Sequence, residues 1–172
     1  MSSCRRFKAT DLFKFNKVNM DHLTETFHMG FYTQYLATWP EYFVASLGAD
    51  DQVSGYVMGK AEGKGLRWHG HVTAVTVAPE FRRLGLAKTL MEYLEHVSEH
   101  THNGYFVDLY VRCSNQVAIQ MYKGMGYSVY RQVADYYGDE DAYDMRKALP
   151  RDVEKKSVVP LNPLRVPPGP YD

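Results

Sequence analysis

Apolar positions recur along this chain with two different spacings, and the switches between them mark the predicted elements. "CRRFKA" (4–9) reads as a short first strand, after which Thr10 or Asp11 caps a helix running to about Leu23, with Leu12, Phe13, Phe15, Val18 and Met20 as its apolar positions. "GFYTQYLATW" is a second, shorter helical stretch closed before Pro40. "EYFVASL", "QVSGYVMGKAEG" and "WHGHVTAVTVA" predict three strands joined by turns containing Gly and Asp, an antiparallel meander. Leu86, Leu90, Leu94 and Val97 then fall on one face of a helix over about 84–100. "YFVDLYV" (105–111) is apolar throughout except for Asp108, as expected of a strand buried on both faces. "SNQVAIQMYKGMG" predicts a third long helix ending at Gly124 or Gly126, and "YSVYRQVADYY" with "AYDMRKAL" a closing hairpin. The expected fold class is α/β (α+β), with about seven strands in a mixed, mostly antiparallel sheet flanked by helices.

The periodicity stops at residue 150. Residues 150–172 hold six of the eight prolines, so the expected organisation is one domain over 1–149 and a Pro-rich tail, extended or disordered, over 150–172. A hydrophobic content of 45% and a charged content of 23% are ordinary for a globular chain long enough to bury a core. The formal net charge of zero gives no general attraction to nucleic acid or to an anionic membrane, so electrostatic recognition must be local. Cys4 and Cys113 are too few for a disulfide framework, "MSSCRRFKATDLF" has no apolar signal-peptide core, and no stretch approaches the roughly 18 apolar residues of a membrane span. The expectation is a cytosolic or nuclear protein, cytoplasmic in the simpler case.

Two stretches carry chemistry. At 82–87 Arg-Arg-Leu-Gly-Leu-Ala joins a strand to a helix start. Unpaired N–H groups and the positive end of the helix dipole meet there, Gly85 and Ala87 let an anion approach the main chain, and Arg82 and Arg83 supply charge-assisted donors, so phosphate is the expected ligand. Asn115, Ala118 and Tyr122 fall at i, i+3 and i+7 on one helical stripe, where polar atoms need partners if buried. His69 and His71 share one strand face without a third ligand identifiable by spacing; a polar-site or structural role is expected, and no metal. "DEDAYD" (139–144) reads as a solvated turn close enough to Tyr136 and Tyr137 to flank a site.

Together, R-x-x-G-x-A at 82–87 and S-N-x-x-A-x-x-x-Y-x-x-x-G-Y at 114–127 resemble the GNAT superfamily of acetyl-CoA-dependent N-acetyltransferases. Longer segments, among them "FYTQYLATWPEYF", "WHGHVTA", "VAPEFRRLGLA", "FVDLYVRCSNQVAIQMY" and "YYGDEDAYDMRKAL", are more specifically similar to the catalytic subunits of NatB, which acetylate nascent chains beginning Met-Asp, Met-Glu, Met-Asn or Met-Gln. The resemblance runs from about residue 5 to Leu161. It implies a GNAT fold whose sheet splays beside the strand at 105–111, acetyl-CoA as cosubstrate, a large helical auxiliary subunit, and contact with the ribosome through that subunit. By the same resemblance Val75, Thr76 and Val77 bind the acetyl-pantetheine through main-chain groups. Arg82, Arg83, Leu84, Gly85, Leu86 and Ala87 wrap the pyrophosphate, Asn115 serves the pantetheine arm, and Tyr122 protonates the departing thiolate. Glu25 lines the peptide entrance and orients or deprotonates the amine, while Tyr136 and Tyr137 close over the peptide.

Selectivity for the second substrate residue is expected from His71 and Thr73, which alternate onto one face and both carry hydrogen-bond donors. Phe27 stands where the resembled family commonly has Tyr, and "NPLRVPPGPYD" does not follow that family, which leaves a diverged paralogue open. Two other readings stay open: an acetyltransferase for internal lysines or small amines, and a non-catalytic acetyl-CoA-binding subunit.

Overall fold

The computed structural model describes residues 3–20, 24–49 and 51–169. In chain order these form β1 (Ser3–Arg6), a 3₁₀ turn (Ala9–Phe13), α1 (Asn16–Asn19), α2 (Met29–Thr38), β2 (Val44–Leu47), β3 (Val53–Glu62), β4 (His69–Val77), α3 (Leu86–His100), β5 (Phe106–Arg112), α4 (Gln116–Gly124), β6 (Ser128–Val133), β7 (Ala142–Ala148) and β8 (Arg165–Val166). All strands join one eight-stranded sheet in the order β1-β2-β3-β4-β5-β7-β6-β8. The β2–β3–β4 meander is antiparallel as its turns predict, whereas β4–β5 and β6–β8 pair parallel.

The helix expected over 10–23 is instead a 3₁₀ turn followed by the single turn of α1. The reason lies in the spacing of its buried residues: Leu12, Phe15 and Val18 recur every three residues, the 3₁₀ period, while Phe13 and Met20 are 81% and 83% exposed. Asp11 is not a solvent-facing cap but a buried carboxylate that accepts from Arg5 at 2.7 and 2.9 Å and from the Lys8 amide at 2.8 Å. Leu23, the expected end of that helix, lies outside the described residues.

One face of the sheet is covered by α3, whose Leu86, Leu90, Leu94 and Val97 pack with Val72, Val77, Val107 and Leu109. A second core of Phe7, Leu12, Phe15, Val18, Phe43, Tyr56 and Met58 covers the opposite face over β1–β3. Beyond it, that face of β5 carries Asp108, Tyr110 and Arg112, which make polar and ring contacts rather than a core. The sheet is therefore apolar on both faces at one end and two-faced at the other.

The segment after residue 150 adds the eighth strand: Leu161 N–H donates to Tyr130 O at 2.8 Å, and the Gln132 and Ala134 amides donate to Leu164 O and Val166 O at 2.8 and 2.9 Å. Among the described residues no helix is long and apolar enough to cross a membrane.

Candidate active site

β4 and β5 pair only at Gly70–Val107, His71–Asp108 and Val72–Leu109, although β4 continues to Val77 and β5 to Arg112. Past that point each strand keeps its other neighbour, so the main-chain groups of β4 on this edge, from Thr73 onward, face an opening rather than a ladder. A β-bulge in the pairing with β3 adds to it: Met58 lies opposite Ala74 and Gly59 opposite Val72, which leaves Thr73 as the extra residue. The bulge also changes the faces that simple alternation predicts. His71 and Thr73 stay together, but Val75 joins Val72 and Val77 on the α3 side.

The loop after β4 has the geometry of an anion site. Arg83 and Gly85 are left-handed, with φ of 63° and 76°, and Gly85 is the N-cap of α3. No acidic residue occupies the first turn of α3, whose first N–H groups have no helical acceptor. Arg82 Nε donates to Val77 O at 3.1 Å, tying this loop to the end of β4. A side chain at Gly85 would meet no heavy atom within 4 Å, so the space above it is open.

Tyr122 lies in the α3-side core with Val77 and Val111, its ring 6.1 Å from that of Tyr127. Burial pushes its phenol up to about 12, and its hydroxyl makes no hydrogen bond among the described residues. Asn115 is placed differently from the expected helical stripe: it is the exposed N-cap of α4, its Oδ1 accepting from the Ala118 amide at 3.1 Å, so this cap already accounts for a polar residue there.

On the other face, a chain of contacts joins the residues expected to meet a peptide. Glu25 Oε1 is 4.0 Å from Arg112 Nε, the Arg112 guanidinium lies 4.2 Å from the Tyr137 ring centre, and Tyr137 and Tyr136 rings meet edge to face at 5.0 Å. Tyr136 stacks on Tyr110 at 4.6 Å, and Tyr110 tilts against His71 at 5.7 Å. Burial, then the charge of Glu25, raises the Tyr137 phenol well above the ordinary tyrosine value against the pull of Arg112. The acidic turn is not simply solvated: Arg112 pairs with Asp139 at 2.8 Å and Glu140 at 3.1 Å, and Arg165 with Asp141 at 2.7 Å. Thr73 Oγ1 donates to the Tyr35 hydroxyl at 2.8 Å, so the donor expected from Thr73 is already engaged. Phe27 stacks on Phe31 at 4.4 Å, its amide donating to the Tyr32 hydroxyl at 3.1 Å, and Thr24 Oγ1 lies 2.9 Å from Thr76 Oγ1, which pins this loop to β4.

Beneath His71 sits a buried carboxylate. Asp108 is 3% exposed, with Oδ1 2.7 Å from His71 Nδ1 and Oδ2 3.3 Å from His69 Nε2. Burial opposes its ionisation, but the charges of His69 and then His71 outweigh it and hold the carboxyl far below the usual range. Glu62 completes the group, its Oε1 lying 3.7 Å from His69 Nε2 and 3.9 Å from His71 Nδ1. Burial alone would lower His69, yet the Asp108 charge raises it; its Nδ1 is 2.6 Å from Arg67 O, and its ring stacks on Phe106 at 4.5 Å.

Residues 9–127 match the acetyltransferase (GNAT) family. The chain belongs to that family. It is 61% identical over 162 residues, 94% of each chain, to N-alpha-acetyltransferase 20 of Dictyostelium discoideum, and 60% identical to the NatB catalytic subunit of Arabidopsis thaliana over 94% of this chain and 93% of that one. The fold superposes with a TM-score of 0.90 on Chaetomium thermophilum Naa20 in complex with a bisubstrate analogue, at 44% identity over 96% and 97% of the two chains. A NatB complex bound to CoA and MES matches with a TM-score of 0.80, at 44% identity over 86% of this chain and 99% of that one. Within the GNAT family the chain thus falls among the NatB-type catalytic subunits.

For this GNAT chain, spacing located the loop at 82–87 and the Tyr122 helix, but it did not find Asp108, Tyr110, Arg112 or Tyr35 as site neighbours. The one available signal was Asp108 itself, a carboxylate inside an otherwise apolar run.

Proposed function

We propose that this chain transfers acetyl from acetyl-CoA to the α-amino group of proteins beginning Met-Asp, Met-Glu, Met-Asn or Met-Gln, working in the cytoplasm with a large helical auxiliary subunit that brings it to the ribosome. The observation that carries this reading is the divergence of β4 from β5, with an anion-binding helix start at one side and the polar face around His71 at the other. The residues fit acetyl-CoA: the N–H groups at 83–87 and the cations Arg82 and Arg83 receive the pyrophosphate, the unpaired edge of β4 around Val75, Thr76 and Val77 binds the pantetheine, and Asn115 contributes its amide donor beside the cap. Likeness to the two solved chains, whose partners include CoA and a bisubstrate analogue, supports the same placement here.

The chemistry required of the chain is modest. A free α-amine has a pKa of about 7.7 to 8.0, so an appreciable fraction is neutral without a strong base. Glu25, exposed and across from Arg112, orients the amine and accepts its proton directly or through water. Tyr122 donates toward the sulfur as the thiolate departs. Tyr136, Tyr137 and Phe27 hold the first residue, and His71 with the Thr73–Tyr35 pair reads the second. Phe13 and Met20, both about four-fifths exposed, offer the auxiliary subunit an apolar surface.

The test is acetylation of peptides that differ only in residues one and two, with and without a co-purified large helical subunit. Met-Asp, Met-Glu, Met-Asn and Met-Gln peptides are expected to exceed Met-Leu and Ala-initiated peptides in kcat/KM. Equal turnover of Met-Leu, or a preference for a lysine side chain, overturns the reading.

A further inference from the structure

His71 has two ring nitrogens with different surroundings. Nδ1 lies 2.7 Å from Asp108 Oδ1, whereas Nε2 makes no hydrogen bond among the described residues and is not sealed from solvent. Asp108 is ionised throughout the neutral range, so both its oxygens are acceptors. A short contact between an acceptor oxygen and Nδ1 requires the proton to be on Nδ1. In the neutral ring Nε2 is then bare, an acceptor and not a donor.

We propose that Asp108 is a positioning residue that determines specificity: by keeping the proton of neutral His71 on Nδ1, it leaves Nε2 an acceptor suited to the side-chain amide of Asn or Gln. Only the imidazolium, a donor at both nitrogens, suits the carboxylate of Asp or Glu. This rests on the reading that His71 faces the second substrate residue. One side chain thereby recognises two substrate classes through its two charge states, and their ranking depends on pH. The groups facing His71 are Asp108 and Tyr110 of β5, Glu62 of β3, whose Oε2 pairs with Lys60 at 2.5 Å, and His69 and Thr73 of its own strand, Thr73 carrying Tyr35 of α2. The amide substrates lose little when His71 deprotonates, because Asn and Gln offer both donors and an acceptor. The acidic substrates lose a charge-assisted bond and meet a lone pair instead.

The experiment has two arms. In the first, Met-Asp and Met-Asn peptides of otherwise identical sequence compete for the enzyme with its co-purified subunit at a series of pH values from 6 to 9. Both carry the same α-amine, so its ionisation very nearly cancels in the ratio of kcat/KM. The Asp:Asn ratio is expected to fall by about tenfold or more as pH rises, the factor that goes with losing one charge-assisted hydrogen bond. In the second arm, nitrogen-15 NMR of the full chain labelled at histidine, assigned with His71→Gln, is expected to show neutral His71 protonated on Nδ1. Asp108→Asn, whose amide can donate to Nδ1 and release the other tautomer, should flatten the ratio; the NMR arm on the unchanged protein stands even if that variant does not fold. A ratio that stays constant with pH, or an Nε2-protonated neutral ring, overturns the proposal. The underlying reading fails by a different sign: His71→Ala retaining the parent's preference for Met-Asp over Met-Leu.

Discussion

Tyr122 is buried and His69 half-buried, and the loss of solvent acts on their pKa values in opposite directions. The Tyr122 phenol, raised to about 12, holds its proton more tightly than an ordinary thiol at about 8.5, so outright transfer to the departing sulfur is uphill. Its best role is a hydrogen bond to charge growing on sulfur, the CoA thiolate leaving as the anion and taking its proton from solvent. Tyr122→Phe is therefore expected to lower kcat by roughly 10²-fold, the lower end for a proton-donor residue, while calorimetry finds acetyl-CoA affinity nearly unchanged. A near-normal kcat would make Tyr122 a packing residue. For His69 the Asp108 charge overcomes burial and raises the folded-state pKa, so its stabilisation is full below the unfolded value of about 6.5 and is lost as pH rises through the folded one. Thermal unfolding should show the gap between the parent and His69→Gln widest near pH 6 and narrowing toward pH 9. A gap that widens with pH would mean that the pair is not charged as its geometry requires.

Among elements, the turn into α3 makes the sharpest demand on backbone conformation. Two left-handed residues, Arg83 and Gly85, shape the entry into the helix; at Gly85 an added side chain costs conformational strain but no overlap. Gly85→Asn keeps a residue that tolerates this conformation, whereas Gly85→Glu places a bulky anion there. Both are expected to fold, with acetyl-CoA binding weakened by Asn and abolished by Glu in calorimetry; undiminished binding to folded Gly85→Glu would remove the phosphate from this turn. This loop was legible in the sequence because glycine and arginine at a strand-to-helix junction have few other uses. The meander and α3 were legible because one periodicity ran through each. The bulge at Thr73 was not, since the glycine beside the register shift, Gly59, lies on the partner strand and does not say which residue of β4 is the extra one, and the effect is to move Val75 to the other face. The break between the 3₁₀ turn and α1 hid behind a three-residue spacing that also fits an α-helix over so short a stretch. Asp108 and Arg112 joined the site through strand pairing between residues far apart in the chain, which local pattern does not encode.

Over the whole molecule, the arm after residue 150 reaches back to the site. Arg165 Nε and a terminal nitrogen donate to Asp141 at 2.7 and 3.2 Å, and the same carboxylate accepts from Gln132 Nε2 at 2.6 Å and from the Asp135 amide at 3.0 Å. Asp141 closes the β6–β7 connection that carries Tyr136 and Tyr137, while Arg112 holds its neighbours Asp139 and Glu140 from the β5 side. Arg165 lowers the Asp141 carboxyl far below its ordinary value, but with the guanidinium 60% exposed the ion pair is screened by solvent and adds little stability by itself. Its consequence for the site is geometric: together with the β8 ladder it fixes one end of the tyrosine connection, so that Tyr136 stays stacked on Tyr110. Deleting residues 162–172 is therefore expected to raise KM for a Met-Asp peptide by about 3- to 10-fold, with acetyl-CoA affinity unchanged because the proposed cosubstrate site lies at β4, α3 and α4. Arg165→Ala should give a smaller rise, and in the parent that contribution should shrink as salt is added, since an exposed pair is screened. Equal peptide KM in the parent and the truncated chain would show that the tyrosines are held by Arg112 and β7 alone, and that the arm serves only to cover the edge of β6.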